Sequence, residues 1–304
     1  MDYNLTRSEI DEHFSNINST VKSLWKLLAF DLKFPKYHSK VNESIISDEF
    51  YYLSDLRTTL WTAGREGIPY QSSPLFKPSQ EHLLNKKYRK SNCITFEHTA
   101  TDNSYNSSCV EVSKRRFFAL EGPCEENTDC FLNLIVKWGV SYLVCLTDEK
   151  DKSGSSTCYP YWKNRVIKAQ NETLLNITNG SVSTQMPYVF WPDWEDYQGT
   201  DPEKLVNIVN QVRNKTPEKD IIAVHCSAGV GRTGTFIAAT CLLDNIDKQL
   251  KNGIRPNNLN INIAKLFMYL NFHRPWLIAT SSQYITLYKV VDFYIDQLKS
   301  QLGA

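Results

Sequence analysis

The chain has 304 residues, a formal net charge of +1, 41% hydrophobic residues and 22% charged residues. This length allows one large domain or two small ones, and the composition is that of an ordinary globular protein with a substantial core. The near-zero net charge excludes a general attraction to nucleic acid or to a membrane surface, so any binding of an anion depends on local arrangement.

The eight cysteines are scattered through the chain without a Cys-x-x-Cys pair. Disulfide scaffolds are typical of short secreted chains, and zinc sites need closely spaced ligands, so neither is predicted. No N-terminal run has the length of a secretory signal, and no stretch reaches the roughly 18 apolar residues of a membrane span. We therefore expect a cytoplasmic chain with reduced thiols, no metal, no cofactor and no membrane insertion.

The first predicted element is a long amphipathic helix. Apolar residues recur at alternating spacings of four and three, which places them on one face of about five helical turns. These residues are Ile10, Phe14, Ile17, Val21, Leu24 and Leu28. We expect the stripe to pack on the main domain; a helix that docks a partner is the alternative. Residues 1–44 are thus predicted as a helical extension and residues 45–304 as the main domain.

Residues from 45 onward look helical at first and then loop-like. Short apolar runs at 117–123 and 140–147 predict buried strands, with a helix near 128–138 between them. Further along, Asn179-Gly180 suits a type I′ turn and predicts a hairpin.

The last third of the chain predicts more helices. Residues 201–214, 261–272 and 283–298 are amphipathic, and an apolar run at 221–224 predicts a buried central strand. The expected class is α/β (α+β), with a central twisted mixed sheet flanked by helices on both sides.

A turn follows the apolar run, and an apolar helical stretch follows the turn. The turn extends from Cys226 to Arg232 and contains Gly229 and Gly231. Glycines allow positive φ, so successive N–H groups can point inward, and the N-terminus of the next helix adds its dipole. A strand, a tight turn and a helix in this order form a typical oxyanion site.

The residue types of this turn indicate phosphoryl chemistry. Cysteines at helix N-termini or beside cations have pKa values of about 3.5–7.5, against about 8.5 when free, so Cys226 is predicted as a nucleophilic thiolate. Arg232 can hold two phosphate oxygens with its planar guanidinium, and the Thr233 hydroxyl can donate to the sulfur. The amides expected to contact the phosphoryl group belong to Ser227, Ala228, Gly229, Val230 and Gly231.

Two simpler readings compete with this one. A cysteine that ends a buried strand is often a small core residue, and a glycine-rich turn between strand and helix can bind a nucleotide. The nucleotide patterns G-x-x-x-x-G-K-[ST] and G-x-G-x-x-G are both absent, however.

Residues 225–234, HCSAGVGRTG, resemble the signature of the Cys-based protein-tyrosine-phosphatase family. Upstream, Trp191-Pro192-Asp193 resembles the mobile Trp-Pro-Asp loop of that family. The resemblance implies that Asp193 is the general acid that protonates the leaving tyrosine oxygen, a contribution of about 10²–10⁴-fold. It also implies supporting roles for His225 and Trp191.

Weaker matches extend the resemblance over roughly residues 45–300. Residues 85–89 resemble the substrate-recognition loop, which implies that Tyr88 stacks on the phosphotyrosine ring. Residues 274–284 resemble the glutamine loop, which implies that Gln283 lies at the phosphate. The strand that ends at Gly122 resembles one that carries Gln-Gly-Pro, with Glu121 in place of the glutamine.

The chain also departs from the family pattern. Ala279 stands where the family has the first glutamine of this loop, which helps to place the water that hydrolyses the phosphocysteine. Its absence predicts either slow hydrolysis of the phosphocysteine or a substitute residue such as Gln283. Lys90 stands where the family usually has an aspartate that anchors the peptide. The usual Gly and Pro after the Trp-Pro-Asp motif are missing, so we expect residues 194–196, Trp-Glu-Asp, to change the resting position of the loop.

The expected activity is hydrolysis of phosphotyrosine in proteins through a phosphocysteine, by a monomer whose partners are its phosphoprotein substrates. One alternative is a phosphotyrosine-binding module with low turnover, motivated by Ala279. Another is a phosphoinositide or dual-specificity phosphatase, although such enzymes often carry lysines in the turn and residues 227–231 include none. A redox-regulated scaffold is a third. Abundant Asn, Lys and Ile are typical of an AT-rich genome, which raises the alternative of a pathogen effector delivered into a host cell.

Overall fold

The computed structural model describes residues 4–28, 34–62, 76, 93, 95–101, 104–169, 172–179 and 182–302. Within these ranges the helices are α1 (Arg7–Leu28), α2 (Glu43–Thr62), α3 (Thr128–Lys137), α4 (Pro202–Lys215), α5 (Gly231–Lys251), α6 (Ile263–Asn271) and α7 (Ser281–Leu302). The strands are β1 (Ser107–Val112), β2 (Arg115–Leu120), β3 (Tyr142–Cys145), β4 (Val166–Ala169), β5 (Glu172–Asn179), β6 (Val182–Phe190) and β7 (Ile221–His225).

The strands form one sheet in the order β1-β2-β7-β3-β6-β5-β4. The central strands β2, β7, β3 and β6 run parallel to one another, and the pairs at both edges are antiparallel. This arrangement confirms the predicted mixed sheet.

Helices cover both faces of the sheet centre, which explains why the central strands are apolar throughout. Successive residues of β2 point to opposite faces, so Phe117 and Ala119 pack with α5 to α7 while Phe118 and Leu120 pack with α1 and α3. All five residues of β7 are buried. A strand between two apolar layers needs no alternation of polar and apolar residues.

The four parallel strands at the centre have their carboxyl ends at the same edge of the sheet. Leu120 of β2 and Cys145 of β3 both pair with His225, the last residue of β7. The chain then turns and enters α5, whose first thirteen residues are all buried. Ligands of open α/β sheets bind beyond the carboxyl ends of the strands, so this edge is where a site is expected.

Helix α1 packs against one face of the sheet, as its apolar stripe predicts. Ile10, Phe14, Ile17, Val21 and Leu24 are all buried in the cluster that includes β2 and α3. The Phe14 ring stacks on Phe118 with centroids 6.1 Å apart, and the guanidinium of Arg116 lies 4.6 Å above it. Because α1 shares this core, it belongs to the packed body of the protein. The division at residues 44 and 45 remains a prediction.

The predicted hairpin is confirmed, but its turn residues are not those expected. Strands β5 and β6 are antiparallel, and Asn179 pairs with Val182. Asn179 is therefore the last ladder residue of β5 and not the first turn residue. The two residues between the strands, 180 and 181, lie outside the described residues. The interstrand register, a non-local property, decides this position.

In the part of the chain that the structure describes, no helix combines the length and apolar character needed to cross a bilayer.

Replacing Phe14 by Ala is expected to lower the free energy of unfolding by about 3–5 kcal/mol, because a fully buried ring is lost and a cavity remains. Urea unfolding followed by tryptophan fluorescence measures this change. Ser15→Ala, at the exposed neighbouring position, is the control and should change stability little. An equal, small effect of both substitutions would contradict the packing of α1 on the sheet.

Candidate active site

The turn between β7 and α5 has its carbonyl groups bound on its outer side. Ser227 O accepts a hydrogen bond from the N–H of Gly122 at 3.0 Å. Val230 O accepts from the N–H groups of Gly234 at 2.9 Å and Ile278 at 3.2 Å. These contacts tie both ends of the turn to neighbouring backbone.

The two carbonyls between them bind a buried arginine. Arg274 is fully buried; its Nε donates to Gly229 O at 2.9 Å and its Nη2 donates to Ala228 O at 3.2 Å. In a trans peptide the C=O and the following N–H point in opposite directions. Because the carbonyls of residues 227–230 point outward, the N–H groups of residues 228–231 point inward. Converging N–H groups form an anion-binding nest.

Gly229 is required at its position for two reasons. Its φ is +72°, a left-handed conformation that disfavours other residues. A Cβ built there would lie 2.1 Å from the carbonyl oxygen of Leu120, so no side chain fits.

Cys226 lies at the start of this turn and is buried. Burial acts to raise the pKa of its thiol, but the Arg232 guanidinium and the neighbouring hydroxyl and N–H of Thr233 lower it, and the net pKa lies below the usual value. The carboxylate of Asp196 acts in the opposite direction, toward a higher pKa. The thiolate is therefore more populated near neutral pH than that of an ordinary cysteine.

The guanidinium of Arg232 is buried, and only one of its three nitrogens makes a described hydrogen bond. Its side chain is 3% exposed, and its Nη1 donates to the carbonyl oxygen of Trp194 at 2.8 Å. Its Nε and Nη2 have no hydrogen-bond acceptor among the described residues, although Nη2 lies 3.2 Å from Oδ1 of Asp196. Buried N–H groups are rarely left without acceptors, so this fork indicates a place for a bidentate oxyanion.

His225 supports the backbone at Cys226. Its Nδ1 lies 3.2 Å from the Cys226 carbonyl oxygen and its Nε2 lies 2.6 Å from the Tyr161 hydroxyl. A carbonyl can only accept, so Nδ1 carries the proton and a neutral ring accepts from Tyr161 through Nε2. Burial raises the pKa of Tyr161, which keeps its hydroxyl protonated as this tautomer requires.

Gln283 lies against the start of α5. Its Oε1 accepts from the N–H of Ala279 at 2.9 Å, and its Nε2 has no acceptor in the described part of the chain. A Cβ built at Gly231 would lie 2.9 Å from that Nε2. The amide therefore fills the space that Gly231 leaves open, and its free donor is next to the anion-binding turn.

The loop after β6 places its two aspartates differently. Asp193, the expected general acid, has a 77% exposed side chain, and its described ion pair is with Lys204 at 3.4 Å. Trp191 is buried and packs against Trp194, with centroids 5.0 Å apart and ring planes tilted by 39°. Asp196, 32% exposed, is the aspartate that contacts Arg232. The role assigned to Asp193 remains a prediction.

The structure places five of the predicted site residues around the turn, and their roles stay predictions: Cys226, Arg232, Thr233, His225 and Gln283. Sequence reasoning gave no role to Arg274, which no local signal distinguishes from other arginines. The contact of Asp196 with Arg232 was also not predicted, although a repeated Trp-x-Asp pattern at residues 191–193 and 194–196 was a visible signal. Tyr88 and Lys90 lie outside the described residues.

The sequence pattern of a family described as protein-tyrosine phosphatase matches residues 85–189 and 167–292. The chain belongs to the protein-tyrosine phosphatase family. Receptor-type tyrosine-protein phosphatase eta of Gallus gallus is 27% identical over 227 residues, which cover 66% of this chain and 15% of that protein. Tyrosine phosphatase H3 of Microplitis demolitor bracovirus is 27% identical over 225 residues, which cover 64% of this chain and 67% of that protein.

A solved structure shares the fold. The catalytic domain of human protein tyrosine phosphatase non-receptor type 18 superposes with a TM-score of 0.65 at 19% identity, over 83% of this chain and 96% of that one. The chain spans only a small part of the receptor-type relatives, and it matches most of this catalytic domain.

Replacing Thr233 by Val should raise the pKa of Cys226, because the sulfur loses a hydroxyl donor. A hydrogen bond to a charged group contributes about 1.5–3 kcal/mol, so the pH midpoint of alkylation by iodoacetamide should rise by about 1–2 units. The matched control is Thr240→Val, on the same helix, whose hydroxyl bonds Phe236 O and should leave the midpoint unchanged. A midpoint equal to that of a free thiol in the unmodified protein would contradict this electrostatic picture.

Proposed function

We propose that this protein hydrolyses phosphotyrosine in proteins through a phosphocysteine on Cys226. The observation that carries the proposal is the buried guanidinium of Arg232, whose Nε and Nη2 lack acceptors among the described residues. A phosphoryl group bound there would also meet the inward N–H groups of residues 228–231. Phosphoryl transfer needs chiefly positioning and charge stabilisation, which such a cage supplies.

In the first step the Cys226 thiolate attacks phosphorus and the bond to the tyrosine oxygen breaks. The turn amides and Arg232 hold the phosphoryl oxygens as they pass through the equatorial plane. The electron pair of the broken bond stays on the tyrosine oxygen, which takes a proton from a carboxyl group of the loop after β6. The resemblance gives this role to Asp193, and the same loop also carries Asp196.

In the second step a water attacks the phosphocysteine and the S–P bond breaks, which returns the thiolate and releases phosphate. The carboxylate formed in the first step takes the proton of the water. With Ala279 in place of the first family glutamine, the free Nε2 of Gln283 is the donor best placed beside the turn to orient this water.

Phosphotyrosine is favoured over phosphoinositides because the turn carries no lysine at residues 227–231 to meet additional phosphates. The stacking role of Tyr88 stays part of the proposal. The proposal also includes that the protein acts as a monomer, that its partners are phosphotyrosine proteins and that it works in the cytoplasm. Two relatives are encoded by a bracovirus, tyrosine phosphatase H3 and probable tyrosine phosphatase protein H4, which supports a host-delivered role for this chain as well.

A phosphotyrosine-binding module with low turnover is the second candidate. Ala279 and the outward position of Asp193 favour it, whereas the lowered pKa of the Cys226 thiol favours an enzyme. The two functions differ in whether phosphate is released at a steady rate.

Cys226→Ser should abolish release of phosphate from a phosphotyrosine peptide while the peptide still binds, because the cage remains and the nucleophile is lost. Arg232→Lys should lower kcat/KM by at least about 10², since the charge is kept but the bidentate fork is lost. Malachite-green detection of phosphate measures both effects. Cys130→Ser, at an exposed cysteine, is the control and should be fully active. Activity that survives in Cys226→Ser would overturn the proposal. Unmodified protein that binds the peptide but does not release phosphate would support the binding module instead.

Gln283→Ala should slow hydrolysis of the phosphocysteine more than its formation. We expect a burst of p-nitrophenol of about one equivalent per enzyme, followed by a steady rate about tenfold or more below that of the unmodified protein. Rapid-quench measurement of p-nitrophenyl phosphate turnover resolves the two phases. If the burst is absent and both phases fall together, Gln283 acts in substrate binding and not on the water.

A further inference from the structure

Arg232 already has a carboxylate beside it in the folded chain. Oδ1 of Asp196, in the loop after β6, lies 3.2 Å from Nη2 of Arg232. Nη2 is one of the two nitrogens of this guanidinium that make no described hydrogen bond, and the proposed function gives both of them to the phosphoryl oxygens. The same nitrogen therefore has two candidate anions, one from the chain itself and one from the substrate.

The contact between Asp196 and Arg232 is close but poorly aligned. A carboxylate oxygen 3.2 Å from a guanidinium nitrogen is within ion-pair distance, yet Nη2 directs no hydrogen bond to it. Arginine binds an oxyanion most strongly through two parallel N–H···O bonds. A phosphoryl group that takes such bonds from Nε and Nη2 together would therefore be the stronger ligand of Arg232.

Asp196 can leave Arg232 without remaining as an unpaired charge in the core. Its side chain is 32% exposed, whereas that of Arg232 is 3% exposed. A displaced carboxylate can turn to water, which solvates its charge, while the guanidinium stays in place. Breaking this ion pair is therefore less costly than breaking a fully buried one.

The backbone next to Asp196 is held by the segment that begins α7. Tyr197 O accepts from the hydroxyls of Thr280 at 2.9 Å and Ser282 at 3.0 Å. Tyr197 has a φ of +62°, a left-handed conformation that is unfavourable for a large side chain. Oδ1 of Asp196 also accepts from the N–H of Tyr197 at 3.1 Å. Strained residues persist where the surrounding contacts impose them, and they are frequent at functional sites.

The contact with Asp196 is one of two that hold this loop to Arg232 in the described part of the chain. The other is the hydrogen bond from Nη1 to the carbonyl oxygen of Trp194 at 2.8 Å. In this arrangement the side chain of Asp193 is 77% exposed, and its described ion pair is with Lys204 of α4. A phosphoryl group that takes Nη2 from Asp196 would remove one of the contacts that keep the loop in this position.

Asp196 also acts on the nucleophile. Its carboxylate acts to raise the pKa of the Cys226 thiol, against the lowering effect of Arg232 and Thr233. In the free protein Asp196 thus opposes both the binding of an anion and the formation of the thiolate. Both effects weaken when the carboxylate moves away from Arg232.

We propose that Asp196 competes with the phosphoryl group for Arg232 and so sets how tightly substrate and released phosphate are held. This inference rests on the proposed function and leaves the role of general acid with Asp193. The Asp196 carboxylate pairs with Nη2 in the free protein, gives way when the phosphoryl oxygens arrive, and returns when phosphate leaves. Asp196 makes and breaks no covalent bond, so it is a positioning residue.

Two other roles for Asp196 would produce the same contact. A carboxylate can orient a guanidinium so that it meets the substrate in the right geometry, or it can repel anions through its charge alone. Removing an orienting residue weakens phosphate binding, whereas removing a competitor strengthens it. A general charge effect would arise equally from a neighbouring carboxylate of the same loop. The sign and the location of the effect therefore separate the three roles.

The test measures the binding of inorganic phosphate by isothermal titration calorimetry to Cys226→Ser and to the double variant Cys226→Ser/Asp196→Asn. Serine prevents turnover, and asparagine keeps an oxygen that can accept from the Tyr197 N–H. We expect the double variant to bind phosphate about three- to tenfold more tightly, because a partly exposed ion pair that opposes binding is lost. Glu195→Gln in the same background is the matched control, since it removes the adjacent exposed carboxylate, and it should change phosphate binding little.

Steady-state kinetics of Asp196→Asn with a phosphotyrosine peptide give a second readout. The KM for the peptide and the inhibition constant of phosphate should both fall by a similar factor, whereas kcat should stay the same or fall. The inference is overturned if the double variant binds phosphate no more tightly than Cys226→Ser, or if Glu195→Gln gives the same gain. The proposed function fails separately, when Cys226→Ser still releases phosphate, because the calorimetric comparison needs no turnover.

Discussion

The N–H groups of residues 228–231 can face one point only because the carbonyl oxygens of residues 227–230 are bound on the opposite side of the turn. Gly122, Ile278 and the buried Arg274 supply those bonds. Without them the carbonyls would be buried and unpaired, which a fold rarely tolerates. The outer contacts therefore fix the inner geometry, and the field they create acts on the Cys226 sulfur and on any bound oxyanion together.

The part of the site that is local in sequence could be predicted from sequence, and the part assembled across the chain could not. A strand, two glycines and a helix within residues 221–251 are enough to predict that a turn lies there, although the contacts that orient its carbonyl groups come from elsewhere in the chain. Arg274 is 45 residues from the carbonyl of Gly229 that it binds, and only the packing of α6 beside α5 brings them together. The orientation of the loop after β6 likewise depends on where Trp194 is buried, which no local pattern specifies.

The fold shows the same division. The hydrophobic patterns predicted several of the strands and helices, because burial of one or both faces of an element produces a regular pattern of apolar residues. The order β1-β2-β7-β3-β6-β5-β4 places β7 between strands that precede it in the chain, and nothing in the apolar runs encodes that insertion. The place of Asn179 within β5 also depended on register. The packing of α1 on the main domain could be predicted because a long helix with one wide apolar face must bury that face.

The Nε and Nη2 groups of Arg232, which have no hydrogen-bond acceptor among the described residues, couple the folded state to small anions. A ligand that binds only the folded protein stabilises it by about 2.7 kcal/mol at a hundred times its Kd. An oxyanion of suitable shape, including the inorganic phosphate that a phosphatase releases, would therefore protect the chain against heat while it blocked the next substrate. Tighter binding of phosphate by Arg232 would then raise the thermal stability of the protein and its inhibition by product together.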